Sequence, residues 1–284
     1  MTAQSDKNLD YLIDLWLAED IGDGDHTTLS TIPESATGTA KLLVKQTGII
    51  AGVRVAKEIF RRFDPEMKID VFIPDGSHIK PGDIIFAVSG LVRSILQTER
   101  LVLNVMQRMS GVATHTYSYV QKLQGLKTRI LDTRKTSPGM RSLEKEAVKL
   151  GGGENHRFGL YDMILIKDNH IDFAGGITRA LEWTRKYVGT NNKNLKIEIE
   201  ARSLDDIREI LKAGGADRIL IDNFSSTLTR EAVQLINGAC ETESSGGITF
   251  ENIREYAECG VDYISVGALT HQIRSLDLSL KAAF

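Results

Sequence analysis

RILDT (129–133), MILIK (163–167), KIEIE (196–200), RILID (218–222), ACETE (239–243) and DYISV (262–266) recur along the second half of the chain, with helical segments between them. Strand alternating with helix means βα units and a parallel sheet, because a parallel neighbour is reached only through a crossover. Several of these strands are nearly continuous apolar runs, the pattern of strands covered on both faces. Six of them fall between Thr128 and Val266. A full eight-stranded barrel takes roughly 250 residues, so the expected architecture is an incomplete, open α/β barrel. Its open side needs cover, from the N-terminal half or from a second subunit.

The first half has a different rhythm. Leu9, Leu12, Ile13, Trp16 and Leu17 have helical spacing, and the glycine-rich IGDGDHTT stops that helix. TAKLLVKQ (39–46), MKIDVFI (67–73) and DIIFAVSG (83–90) are strand-like, with an apolar-periodic helix near 53–63 between the first two. An α+β domain fits. Within DGSHIKPGD (75–83), Pro81 and Gly82 preset a tight turn, so Lys80 is a solvated loop residue rather than the lysine of a biotinyl or lipoyl carrier. A long helical pattern from Ser94 to about Leu123 links the halves, with a break or kink expected near Ser110 and Gly111.

Composition bounds the function. The 284 residues are 42% hydrophobic and 26% charged, as in an ordinary globular protein. A net charge of −3 argues against a broad nucleic-acid surface. No apolar run has the length of a membrane span, and the start MTAQSDKNLD lacks a secretory pattern, so a cytoplasmic location is expected. Cys240 and Cys259 lack the spacing of a zinc or redox motif and are read as buried reduced thiols.

Against that background Arg134, Lys135, Arg141, His156, Arg157, Lys167 and His170 crowd into residues 132–170. Such a cluster wants a small anion. Barrel ligands bind at the C-terminal ends of the strands, and here those ends are polar. Arg134 and Lys135 follow the first strand, Lys167 closes the second, Glu200 the third and Asp222 the fourth. Ser245, Gly246 and Gly247 follow the fifth, and Gly267 the sixth. SSGGIT and SVGALT read as phosphate-binding turns ahead of helix starts. Glu200 and Asp222 are hard oxygen ligands suited to Mg2+, directly or through water.

The strings LAEDIGDGDHTT, TERLVLNVMQRMSG, LDTRKTSPGMR, GGGENHRFGLYDMILIKDNHI, SSGGIT and VDYISVGALTH together resemble the quinolinate phosphoribosyltransferase family over almost the whole chain. The resemblance implies an N-terminal α/β sandwich over 1–112, with the tail 272–284 packing on it, and an open α/β barrel over 113–271. It implies a homodimer whose active sites use both subunits. The expected reaction is phosphoribosyl transfer from phosphoribosyl pyrophosphate to quinolinate with Mg2+ and decarboxylation, giving nicotinate mononucleotide, pyrophosphate and carbon dioxide for NAD biosynthesis. By the same resemblance, Arg134, His156, Arg157 and Lys167 hold the quinolinate carboxylates, and Lys135 stands at the junction with the phosphoribosyl donor. Arg100 reaches the neighbouring subunit's site. Glu200 and Asp222 face the ribose and metal, while Ser245, Gly246, Gly247, Gly267 and His271 form the phosphate loops.

Other readings stay open at this point. A sister group of the same fold accompanies molybdate transport, and a relative acting on nicotinate would need fewer cations. An aldolase-like barrel would use Lys167 as a Schiff-base amine. A non-catalytic nucleotide-binding protein would bind without turnover.

Overall fold

The computed structural model describes residues 3–283. In chain order the elements are α1 (Ala3–Ile21), α2 (His26–Thr31), β1 (Thr37–Val44), β2 (Gly48–Ile49), α3 (Val53–Phe63), β3 (Lys68–Val71), β4 (His78–Ile79), β5 (Ile84–Leu91) and α4 (Val92–Lys122). There follow β6 (Arg129–Leu131), α5 (Arg141–Leu150), β7 (Ile164–Ile166), α6 (Asp168–Ala174), α7 (Ile177–Thr190), β8 (Ile197–Ala201) and α8 (Leu204–Ala213). The chain ends with β9 (Arg218–Asp222), α9 (Ser226–Ile236), β10 (Glu241–Ser245), α10 (Ile253–Ala257), β11 (Tyr263–Ser265), α11 (Ala268–His271) and β12 (Leu278–Ala283).

Two compact units result. One comprises Met1–Tyr117, Ser137–Gly152 and Gln272–Phe284, the other Ser118–Thr136 and Gly153–His271. In the first, an antiparallel sheet runs in the order β12-β1-β5-β3. Alternation in β1 buries Ala40, Leu42 and Val44 on one face. α3 covers the core with Ile59 and Phe60, whose ring meets that of Phe86 edge-on at 6.0 Å. The C-terminal strand joins this sheet, pairing Leu42 with Leu280. Lys80 is exposed in its turn.

α4 runs unbroken through Ser110 and Gly111, where the sequence led us to expect an interruption. Both residues serve packing. A Cβ on Gly111 would lie 2.4 Å from the Arg274 carbonyl, so the glycine admits the passing chain. Ser110 Oγ accepts from the Ala51 N–H at 2.9 Å and donates to its carbonyl at 3.1 Å. α5 belongs to the same unit, where fully buried Glu144 accepts twice from Arg108 of α4 and once from the Ser137 N–H.

The second unit is the parallel sheet, in the order β6-β11-β10-β9-β8-β7. The first barrel strand pairs with the last, and among the described residues β6 and β7 do not pair with each other. The barrel is therefore open between them, as expected. The ACETE strand lies two residues further on than expected, at Glu241–Ser245, because Asn237 and Gly238 turn the chain at φ 44° and 74° after α9. No helix among the described residues is long and apolar enough to cross a membrane.

Candidate active site

The gap between β6 and β7 is where the cations gather. Beyond β6, Glu154 runs alongside its free edge as a parallel bridge to Leu131. The Glu154 N–H donates to the Ile130 carbonyl at 2.8 Å, and the Asp132 N–H to the Glu154 carbonyl at 3.1 Å. Asp132, fully buried, then accepts from the Asn155 amide at 2.5 Å and from the His156 N–H at 2.9 Å. On the far side, Arg157 Nη1 donates to the Met163 carbonyl at 3.3 Å, just before β7. Residues 154–157 thus line the opening.

Lys167 closes β7. Its Nζ lies 3.0 Å from Glu200 Oε1, while Oε2 of the same carboxylate accepts from the Asp168 N–H at 2.9 Å, at the start of α6. His170 Nδ1 accepts from the Lys167 N–H at 2.9 Å, so the helix start and the lysine are fixed together. Asp222, at the end of the adjacent β9, accepts from the Asn223 side chain at 2.7 Å. Its pKa is raised by burial and by the charge of Glu200, and held down by Asn223 and Lys167. Glu200 and Asp222 therefore feel each other.

Arg157 belongs to the same field. Burial and the neighbouring positive charge of Arg134 lower its pKa, while Glu198, Asp162 and Glu200 work the other way. Arg134 itself is exposed. A guanidinium partly buried within the field of another positive charge favours an anionic ligand. Arg157 thus feels Arg134 and Glu200, and Lys167 contacts Glu200 directly.

Lys135 meets the sixth strand end. A Cβ on Gly267 would lie 3.0 Å from both Lys135 Cδ and His271 Nε2, and the Thr270 hydroxyl donates to the Lys135 carbonyl at 2.7 Å. The glycine thus admits two basic side chains. At the fifth strand end the reading changes. SSGGIT does not run straight into a helix, since Asn252 accepts from the Thr249 N–H and α10 starts only at Ile253. Gly246 is required by a neighbour: at φ 85°, its Cβ would stand 2.2 Å from Asn223 Oδ1. Gly247, at φ 62°, faces open space. Ser245 registers with Asp222 across the sheet. Arg100 and Arg141 lie in the first unit, Arg100 exposed on α4 and Arg141 opening α5.

Sequence reading missed the floor of this site. Glu198 stands two residues before Glu200 on the same face of β8, and Glu243 two before Ser245 on β10. Both are buried, and each has its pKa raised to about 7 by desolvation. Arg218 answers them, with Nη1 2.8 Å from Glu243 Oε2 and 4.0 Å from Glu198 Oε1, and Nη2 3.0 Å from Glu241 Oε2. The Arg218 guanidinium also stacks on Tyr263, 4.0 Å from the ring centroid. The signal was present in KIEIE, since a second glutamate within a strand covered on both faces needs a partner.

Models of the quinolinate phosphoribosyl transferase N-terminal and C-terminal domains match residues 25–110 and 112–281. The chain belongs to the quinolinate phosphoribosyl transferase family. A chloroplastic nicotinate-nucleotide pyrophosphorylase [carboxylating] from Oryza sativa is 41% identical over 96% of this chain and 77% of its own length. A probable nicotinate-nucleotide pyrophosphorylase [carboxylating] from Bacillus subtilis is 42% identical, covering 96% of this chain and 92% of its own. The solved nicotinate-nucleotide pyrophosphorylase of Francisella tularensis superposes with a TM-score of 0.92 at 39% identity, covering 98% of this chain and 96% of its own. Family membership thus joins the fold and the cation cluster.

Proposed function

We propose that this chain transfers the phosphoribosyl group of phosphoribosyl pyrophosphate to the ring nitrogen of quinolinate, with loss of the 2-carboxylate. The observation that carries this reading is Glu200 at a strand end of the open barrel, in contact with Lys167 and acting on Arg157, whose charge in turn meets that of Arg134. Quinolinate is a dianion and its donor a polyanion, so fixed cations are needed to bring them together. Arginine forks suit the carboxylates, and Lys167 supplies a point charge. Lys135, Gly267 and His271 stand where the donor's phosphates would be held.

The C1–oxygen bond of the ribose breaks with its electron pair leaving on pyrophosphate, and the C1–nitrogen bond forms from the pyridine lone pair. Glu200 and Asp222 stabilise positive charge growing on the sugar. The C2–carboxylate bond then breaks, the cationic ring accepts the density, and C2 takes up a proton. Lys167 needs no covalent role in these steps, in contrast to a Schiff-base lyase.

Magnesium fits this donor set. Glu200 raises the pKa of Asp222, and a divalent cation held by the pair would relieve that repulsion. When bound it neutralises the departing diphosphate. The same reading makes the enzyme a cytoplasmic homodimer with Arg100 supplied across the interface. The support for the dimer is the exposed apolar surface of the second unit, with Leu160, Tyr161, Trp183 and Phe173 exposed, Phe173 to 92%.

Purified protein mixed with phosphoribosyl pyrophosphate, Mg2+ and either quinolinate or nicotinate tests the reading. Mononucleotide and carbon dioxide from quinolinate alone are expected. Turnover of nicotinate without carbon dioxide, or no turnover of either, refutes it.

A further inference from the structure

We infer that Glu198 and Glu243 are positioning residues: a buried carboxylate pair beneath the site that fixes the His156 ring and, through it, the main chain of Arg157. This rests on the proposed function, and it concerns how the quinolinate-binding cations are held in place.

The imidazole is committed on both sides. Nε2 lies 2.9 Å from Glu198 Oε2 and 3.5 Å from Glu243 Oε2, and the side chain is only 7% exposed. Nδ1 accepts from the Arg157 N–H at 2.7 Å. A lone pair used at Nδ1 places the ring proton on Nε2, the nitrogen that lies against the two carboxylates. The His156 main chain is tied separately to Asp132. The ring therefore joins the barrel floor to the residue whose guanidinium feels the charge of Arg134.

These three side chains could by their types hold a metal ion. Arg218 already occupies the cation's place, 2.8 Å from Glu243 Oε2 and stacked on Tyr263. What the cluster offers is a buried carboxylate 2.9 Å from the ring nitrogen. If the acceptor at Glu198 is lost, the ring turns, the Arg157 N–H loses its partner, and Arg157 no longer meets quinolinate in register.

The test pairs Glu198→Leu, which removes the acceptor, with Glu198→Gln, which keeps an oxygen in the same volume. The Leu variant is expected to raise KM for quinolinate about tenfold or more, with KM for phosphoribosyl pyrophosphate within about twofold of the parent. The Gln variant should recover most of that loss. A merely structural role would lower the active fraction and leave both KM values alone, and that result overturns the inference. So does an equal rise of both KM values, or a Gln variant no better than Leu. Should Glu198→Leu not fold, Glu198→Met, which follows the parent side chain's shape and also lacks the carboxylate, replaces it, with the same selective rise expected and an unchanged quinolinate KM overturning the inference. Absence of quinolinate turnover in the parent protein would instead refute the proposed function.

Discussion

Glu200 holds Lys167 with one oxygen of its carboxylate and the residue after it with the other. Oε1 meets the lysine Nζ at 3.0 Å, and Oε2 meets the main-chain N–H of the next residue, Asp168, at 2.9 Å. A side chain and the start of α6 are thereby set by a single buried group, while the Lys167 side chain remains 49% exposed. The lysine is held firmly and is still open to a ligand.

Lys167→Ala should therefore separate activity from stability. The lysine end of the pair is half exposed and the buried Glu200 keeps the Asp168 N–H, so the loss should be about 1 kcal/mol and the melting temperature should move little. Loss of a charge-assisted contact to a carboxylate should cost quinolinate turnover on the order of a hundredfold or more in kcat/KM. Arg134→Ala should behave likewise. Steady-state kinetics beside thermal melts check both, and near-normal kcat/KM in either variant removes its assigned role.

The two glycines of SSGG should respond unequally. Gly246→Ala adds a Cβ 2.2 Å from Asn223 Oδ1 at φ 85°, and Asn223 in turn holds Asp222. Both crowding and left-handed strain act there, for a loss of about 2–4 kcal/mol. Gly247→Ala meets nothing within 4 Å and carries only the strain of φ 62°, about 1–2 kcal/mol. Urea unfolding of the two variants gives the order directly, and an equal loss would mean that the Asn223 contact contributes nothing.

Strand alternation carried most of the barrel in the sequence, since RILID is the observed β9 residue for residue. Its polar ends were legible for the same reason: a charge at the mouth of a buried strand has few places to go. Glu198, Glu243 and Arg218 were not, because their pairing depends on register between strands far apart in sequence. Gly111 misled for a related cause. A glycine within a helical pattern reads as a breaker, and only the distant Arg274 carbonyl explains why it stands in an unbroken helix. Gly246 is similar, with Asn223 as the neighbour that demands it.

Arg100 offers a test of the proposed dimer. Arg100→Ala and Lys167→Ala should each be inactive as homodimers. If each site takes Lys167 from its own subunit and Arg100 from the partner, a mixed dimer has one intact site and one doubly damaged site. Equal mixing with subunit exchange should then restore about one quarter of parental activity, since half the dimers are mixed. Mixtures that stay inactive after exchange, verified by native mass spectrometry, would place Arg100 in its own subunit's site or outside both.

His115, on α4 in the first unit, should leave a mark on the pH dependence of stability. Burial lowers its pKa below the ordinary histidine value. The unfolded chain then binds a proton that the folded chain refuses, so the contribution is intact above about pH 6.5 and is lost as pH falls through that value. His115→Gln removes the titration while keeping a polar side chain of similar size. Urea unfolding at pH 7.5 and at pH 5.5 should show a smaller acid-side loss for the variant than for the parent. Parallel losses in the two proteins would mean that His115 takes up its proton equally well in the folded state.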